Sequence, residues 1–280
     1  MRPAALGVLG IGAIGGSVAR CARQGGVPLV LGWSPDPAER VAAAREGVVD
    51  DAPAHAAELA ARCDLLVLAG SPAACLRWLE TLARAKPSRA LITDTGVAKR
   101  AIVARAAALG LAGRFAGSRP AVEPATPRLE SARADLLLGA TVYVTPVEGG
   151  DAAAREIADF WETTCGAHAV LIDAGPHDAI AADAAQLAPL VAAAVATALA
   201  RRLPPGTVPG GAVRELTAPA RDAGTAFLEG VWQNRDSVQG ALRAVAADVT
   251  RLADALAAPD AAGLAAALAA AARWRVGIDR

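Results

Sequence analysis

At 280 residues, 54% hydrophobic and 20% charged, the chain is long enough for two domains and apolar enough for a sizeable, alanine-rich core. Its 28 basic and 28 acidic residues cancel, and no basic patch with interleaved aromatics stands out, which excludes nucleic acid as an expected partner. Cys21, Cys63, Cys75 and Cys165 form no C-x-x-C pair, so no metal site is expected and the thiols fit a reducing cytoplasm; charges break the apolar stretches, so no membrane partner or signal peptide is expected either.

The first stretch, ALGVLG (5–10), reads as a strand running into Gly10, Gly12 and Gly15 in G-x-G-x-x-G spacing, with a helical pattern over 13–25 behind it. Gly10 permits a tight turn, Gly12 lets a pyrophosphate approach the backbone, and Gly15 allows close helix–strand packing. The helix start presents free N–H groups to an anion, so Gly10, Ile11, Gly12, Ala13, Ile14 and Gly15 are expected to hold a dinucleotide. The competing reading is a glycine-rich turn used only for packing.

The second strand, PLVLGW (28–33), ends in GWSPDPAER. Ser34 stands where an NAD-binding chain carries the carboxylate for the ribose 2′-hydroxyl. A hydroxyl there removes repulsion against a 2′-phosphate and Arg40 is close enough to reach one, so the residues favour NADP; Asp36 as the acid keeps NAD open, and Ser34 also reads as a turn residue before Pro35. A helix is expected over 37–46. The strand DLLVLAG (64–70) leads through Gly70, Ser71 and Pro72 into a helix over 72–85, and ALITDTG (90–96) carries Asp94 and Thr95; these five residues are expected at the cofactor, on the carboxyl edge where open α/β sheets bind ligands. Lys99 follows on the same edge, opening a helix over 97–109. Further strands are expected at 114–118, 141–146 and 167–172, with a helix over 151–165.

Near-continuous apolar strands alternating with amphipathic helices predict an α/β fold, a Rossmann-type doubly wound and mostly parallel sheet, over residues 1–173. No strand-like run follows Asp173. Residues 177–202 read as a long helix kinked at Pro189, LPPGTVPGG (203–211) breaks the pattern, and Ala-rich helices continue to the end. An all-helical C-terminal domain over 174–280, serving dimerisation and substrate binding, and a homodimer through its helices are expected.

Several stretches occur in an order that resembles the prephenate/arogenate dehydrogenase family: DLLVLAGSP (64–72), TDTGVAKR (93–100), RFAGSRP (114–120), ARADLLLGATVYVTP (132–146), HD (177–178), RELT (214–217) and VWQN (231–234). The resemblance covers nearly the whole chain. It implies a Rossmann domain with a helical dimerisation domain, and NAD(P)-dependent oxidative decarboxylation in tyrosine biosynthesis. In that reaction hydride leaves the ring carbon bearing the hydroxyl, a base takes the hydroxyl proton, and carbon dioxide is lost as the ring becomes aromatic.

The family's base is a histidine in G-S/T-H-P, a group whose near-neutral pKa suits the task. Here the stretch is Gly117-Ser118-Arg119-Pro120, and Arg119 stays protonated at any working pH. Arg119 can instead hold a substrate carboxylate, or form an ion pair with Glu123. The serine of D-x-G-S-x-K becomes Val97 while Asp94 and Lys99 remain; S-H-L-P-H falls on Ala185-Gln186-Leu187-Ala188-Pro189; the family's carboxylate-binding arginine falls on Ala218, with Arg221 three residues on. Lys99, Ser118, Arg119 and Gln186 are the expected substrate contacts, and the catalytic residue is left unassigned. His55 reads as a surface residue, His168 as structural, and His177 as a helix-start pair with Asp178 or the replacement base; Trp232 and Asn234 read as packing and capping residues. Three functions stay open: an oxidoreductase of this family acting on another small carboxylate such as an amino analogue of prephenate, a prephenate or arogenate dehydrogenase with a displaced base, and a non-catalytic nucleotide-binding homologue.

Overall fold

The computed structural model describes residues 1–84, 89–221, 224–257 and 261–278. The end of the helix expected over 72–85 lies outside them. Strand β1 (Ala5–Leu9) is followed by helix α1 (Ala13–Gln24), β2 (Leu29–Trp33), α2 (Pro37–Arg45), α3 (Ala57–Arg62), β3 (Leu65–Leu68), α4 (Pro72–Arg84), β4 (Leu91–Asp94) and α5 (Arg100–Ala108). Next come β5 (Ala116–Pro120), β6 (Thr141–Pro146), α6 (Asp151–Thr163), β7 (His168–Leu171), α7 (Ala174–Ala181), α8 (Leu187–Arg202), α9 (Gly211–Thr217), α10 (Thr225–Gln233), α11 (Arg235–Ala257) and α12 (Ala261–Ile278).

Strands pair in the order β2-β1-β3-β4, all parallel. A parallel bridge from Ile92 to Phe115 carries the order on to β5, which pairs antiparallel with β6, itself parallel to β7. The sheet is thus the mostly parallel α/β sheet expected. Every residue of β1 and β3 is buried, as befits strands covered on both faces. Alternation divides them: Leu6, Val8, Leu65 and Val67 join Val18, Phe160 and Trp161 in one core, while Leu9, Leu66 and Leu68 join Leu79 and Phe115 in the other. Helix α1 seats closely because its buried side is made of Ala13, Gly15, Gly16, Val18, Ala19 and Ala22. Helix α2 starts where Asp36 accepts from the Ala38 N–H, with Pro37 in its first turn.

The chain forms two compact units, Met1–Ala181 with Asp222–Asn234, and Ala182–Arg221 with Arg235–Arg280. Within the first, α10 is fastened by side chains: the Ala73 N–H donates to Glu229 Oε2 (3.1 Å), and Asn234 Nδ2 donates to the Asp178 carbonyl (2.7 Å). Within the second, a π-helical turn over Ala182–Gln186 leads into α8. The irregularity expected at Pro189 therefore lies one turn earlier, because Pro189 has no N–H to offer the Ala185 carbonyl. None of the described residues of α12 is buried. Charges do fall in the apolar helices, Asp178 and Asp183 in Ala174–Arg202 and Arg273 and Arg275 in Ala261–Ile278, yet both helices are long and apolar enough to cross a bilayer by length and composition, since alanine itself counts as apolar.

Candidate active site

The carboxyl edge of the parallel strands carries the glycine loop. Gly10 has φ of +95°, and a Cβ there would lie 2.4 Å from the Ala69 carbonyl oxygen; a Cβ on Gly15 would lie 1.9 Å from the Gly10 oxygen. Both positions therefore demand glycine for backbone reasons. At Gly12 the nearest atom to an added Cβ is the Pro127 oxygen, at 2.6 Å. That same oxygen accepts from the Ala13 N–H at 3.0 Å, and the first intrahelical bond runs from the Gly16 N–H to the Gly12 oxygen at 2.7 Å. The amides of Ala13, Ile14 and Gly15 thus precede the helical ladder, and one of them already binds an oxygen acceptor. Amides at a helix start are donors of the kind a diphosphate uses, and here the Pro127 carbonyl occupies the place of such an acceptor.

At the end of β2, Ser34 is 1% exposed and its hydroxyl is bonded to Glu39 Oε2, while Arg40 Nη1 turns back to the Ser34 carbonyl at 2.6 Å. Asp36, Glu39, Glu46 and Glu130, with Arg128, line an adjoining cleft of about 440 Å³. The preference for NADP drawn from Ser34 and Arg40 finds no support in this arrangement, because the hydroxyl carries a carboxylate partner and the guanidinium is spent on the backbone. Glu39 escaped the sequence reading; its third position in α2 behind the Asp36 cap, where an acid turns back toward the helix start, is the signal that could have found it.

Next along the edge, Gly70 faces Trp78, whose ring an added Cβ would meet at 2.4 Å, and Ser71 caps α4 by accepting from the Ala74 N–H at 3.4 Å ahead of Pro72. Thr95 donates its N–H to the Leu68 carbonyl at 3.0 Å. Asp94 is wholly engaged: Lys99 Nζ, the Gly96 N–H (2.8 Å) and the Ser118 N–H (3.1 Å) all donate to it. Lys99 is 0% exposed, and its ammonium also donates to the Ser118 carbonyl at 2.8 Å. It is therefore not a solvated helix-start lysine, and its charge faces Asp94. The Ser118 hydroxyl shares a hydrogen bond with Thr93 Oγ1 (2.7 Å) and accepts from Trp161 Nε1 (2.9 Å). These three groups brace β4 against β5.

Arg119, at the carboxyl end of β5, is different. It is half-buried and among the described residues its guanidinium makes no hydrogen bond or ion pair, the pair with Glu123 included. Burial lowers its pKa, against the opposing pull of Tyr143, Asp178 and Glu123, yet a guanidinium so far above neutrality stays charged. An unpaired half-buried cation is costly until an anion joins it.

Beside it lies a knot the sequence reading only touched. Asp178, fully buried, accepts from the Lys99 N–H (2.7 Å), the Arg100 N–H (3.0 Å) and Arg100 Nε (3.2 Å), and Arg100 reaches Asn234 Oδ1 at 3.1 Å. His177, also 0% exposed, bonds Asp178 Oδ1 through Nδ1 at 2.9 Å, with its ring edge-on to Tyr143 at 5.6 Å between centroids. Its Nε2 is buried and has no partner among the described residues, an omission worth about 1–3 kcal/mol. Burial lowers the imidazole pKa below 6.5, against the pull of Asp178 and with help from Lys99 and Arg119. Burial on its own raises the Asp178 carboxyl, but hydrogen bonds from His177, Arg100 and Lys99 outweigh it and hold the pKa below 3.8. His55 and His168 are both exposed, the latter on β7 where a structural role was expected. Gln186 is buried in the second unit, Val97 is half-buried, Trp232 is exposed, and Asn234 bonds the Asp178 carbonyl inside α7.

The family model for the prephenate dehydrogenase nucleotide-binding domain matches residues 18–171, more than half of the chain. The chain belongs to the prephenate dehydrogenase family. Its nucleotide-binding fold is that of a nicotinamide-dependent dehydrogenase. A crystal structure of prephenate dehydrogenase from Aquifex aeolicus in complex with hydroxyphenyl propionate and NAD+ is similar with a TM-score of 0.91 and 21% identity, covering 98% of each chain. Synechocystis arogenate dehydrogenase is similar with a TM-score of 0.85 and 21% identity, covering 98% of this chain and 99% of that one. No curated protein matches in sequence.

Proposed function

We propose that the chain is an NAD(P)-dependent dehydrogenase that moves hydride between a nicotinamide and a small carboxylate-bearing substrate, prephenate-like or an amino analogue. The observation that carries this reading is Arg119: an unpaired guanidinium on the same sheet edge as a glycine cradle, placed to hold a carboxylate. Gly10 to Gly15 would hold the diphosphate, and the end of β2 with Ser34 and Glu39 the adenosine ribose; Gly70, Ser71, Pro72, Asp94 and Thr95 would wall the remainder. When bound, the nicotinamide supplies the hydride acceptor. Glu39 against Ser34 and the acidic cleft beside them support NAD over NADP, since a 2′-phosphate would meet carboxylates. Lys99 and Ser118 act in this reading by fixing β5 under Arg119, and Gln186 remains a candidate substrate contact.

The same reading takes residues 174–280, apart from the stretches that pack in the first unit, as a dimerisation and substrate domain and the enzyme as a cytoplasmic homodimer. A groove of about 810 Å³ between α11 and α12, lined by Leu252, Leu264 and Leu268, supports a helical interface. Calorimetry with NAD+ and NADP+, followed by absorbance of the reduced cofactor with prephenate, L-arogenate and a panel of amino and keto acids, tests it. Turnover of prephenate itself would favour an ordinary family activity with a displaced base. Cofactor binding with no turnover on any substrate would favour a non-catalytic homologue.

A further inference from the structure

We propose that His177 Nε2 is the acceptor for the substrate's hydroxyl proton, taking the task that Arg119 cannot perform. The inference deepens the dehydrogenase reading and rests on it. Three observations converge. The Nε2 atom is fully buried and has no hydrogen-bond partner among the described residues, an arrangement that calls for an explanation. Asp178 holds Nδ1 at 2.9 Å, which makes Nδ1 the protonated nitrogen and leaves the Nε2 lone pair bare. And the ring stands edge-on to Tyr143, the residue directly opposite Arg119 in the β5–β6 ladder, so the imidazole is one strand from the proposed carboxylate anchor.

Asp178 is itself immobilised by the Lys99 and Arg100 amides and by Asn234, so the imidazole has a fixed orienting group behind it. The groups facing the ring are Asp178 on its own helix, Lys99 at the start of α5, Arg119 on β5 and Tyr143 on β6. Burial with the two cations outweighs the carboxylate and keeps the imidazole neutral, hence able to accept. In the oxidative direction the carbinol C–H bond breaks, its electron pair leaving as hydride to the nicotinamide. The O–H bond breaks with its electrons forming the new C=O bond, and the proton goes to Nε2. The resulting imidazolium is balanced by Asp178.

The test uses full-length protein labelled with 15N-histidine, where only His55, His168 and His177 contribute signals. With NAD+ present, prephenate, L-arogenate and hydroxyphenyl propionate are added in turn. The expected result is an unprotonated His177 Nε2 at pH 7 that shifts when at least one of them binds. A protonated Nε2 at pH 7, or one unmoved by all three at millimolar concentration, overturns the proposal. His177→Asn keeps a donor for Asp178 and deletes Nε2, whereas His177→Gln keeps a nitrogen at the far end. On whichever substrate the wild type turns over, His177→Asn should lower kcat by about 100-fold or more with KM changed less than about threefold, and should remove the acid limb of the kcat profile. A merely structural histidine would be rescued by asparagine, with the acid limb intact, and that result also overturns the proposal. Protein that binds no nicotinamide by calorimetry fails the dehydrogenase reading and takes this one with it; protein that binds cofactor while Nε2 stays unmoved fails this one alone.

Discussion

Lys99→Met removes one ammonium from a site closed to bulk solvent. Lys99 and Asp94 are 0% and 2% exposed at the side chain, and the ammonium bonds both the carboxylate and the Ser118 carbonyl. Methionine fills the stem's volume, so the loss is electrostatic rather than a cavity. Asp94 keeps two neutral donors, the amides of Gly96 and Ser118, and the Ser118 carbonyl loses its lysine donor. Breaking a buried pair from one side costs about 3–5 kcal/mol, against about 0–1 kcal/mol for an exposed one. In a unit of roughly 150–250 residues that corresponds to a fall in Tm of about 6–20 °C. Guanidinium unfolding followed by tryptophan fluorescence suits the measurement, because Trp161 reports from its bond to Ser118 Oγ. Asp94→Asn with Lys99→Met should recover at least half the loss, since no uncompensated charge then stays buried. A single-mutant loss below about 1 kcal/mol, or a double mutant no better than the sum of the singles, would refute the argument that this lysine is a buried brace.

Three further outcomes are expected. Gly12→Val drives the Pro127 carbonyl off the Ala13 amide and fills the diphosphate approach, so calorimetry should show cofactor binding lost while size-exclusion elution is unchanged; retained binding would put the diphosphate elsewhere. His177 has a folded pKa below its unfolded 6.5, so the unfolded chain binds more protons and stability is full above about pH 6.5 and falls as pH drops toward the lower folded value; His177→Asn should flatten that part of the unfolding free energy between pH 7 and 5, and an unchanged slope would contradict it. Glu39→Gln, by removing a carboxylate from the ribose end of the cleft, should tighten NADP+ about three- to tenfold relative to NAD+ in paired titrations, and an unchanged ratio would place the 2′-position away from Glu39.

The parallel sheet was legible because β1 and β3 are apolar on both faces, and the glycine loop because its spacing follows a strand and opens a helix. Arg119 could be read directly in Gly117-Ser118-Arg119-Pro120, but not that its guanidinium would stand half-buried at the carboxyl end of β5. What could not be read was where charges turn. Lys99 looks like any helix-start lysine until Asp94 is seen five residues back with its carboxylate inward, and no local pattern reports that Asp178 would cap α5 from 79 residues away. The Pro127 carbonyl on the glycine loop is equally silent, being a backbone contact that no side chain encodes.

The return of α10 to the first unit has a bearing on synthesis. Glu229 sits on the amino end of α4 and Asn234 on the carbonyl of Asp178, so the nucleotide-binding unit is not finished by any stretch of chain that stops near residue 173. On the ribosome, its sheet can assemble early, but α4 waits for its last partner until more than fifty further residues, most of them belonging to the other unit, have emerged.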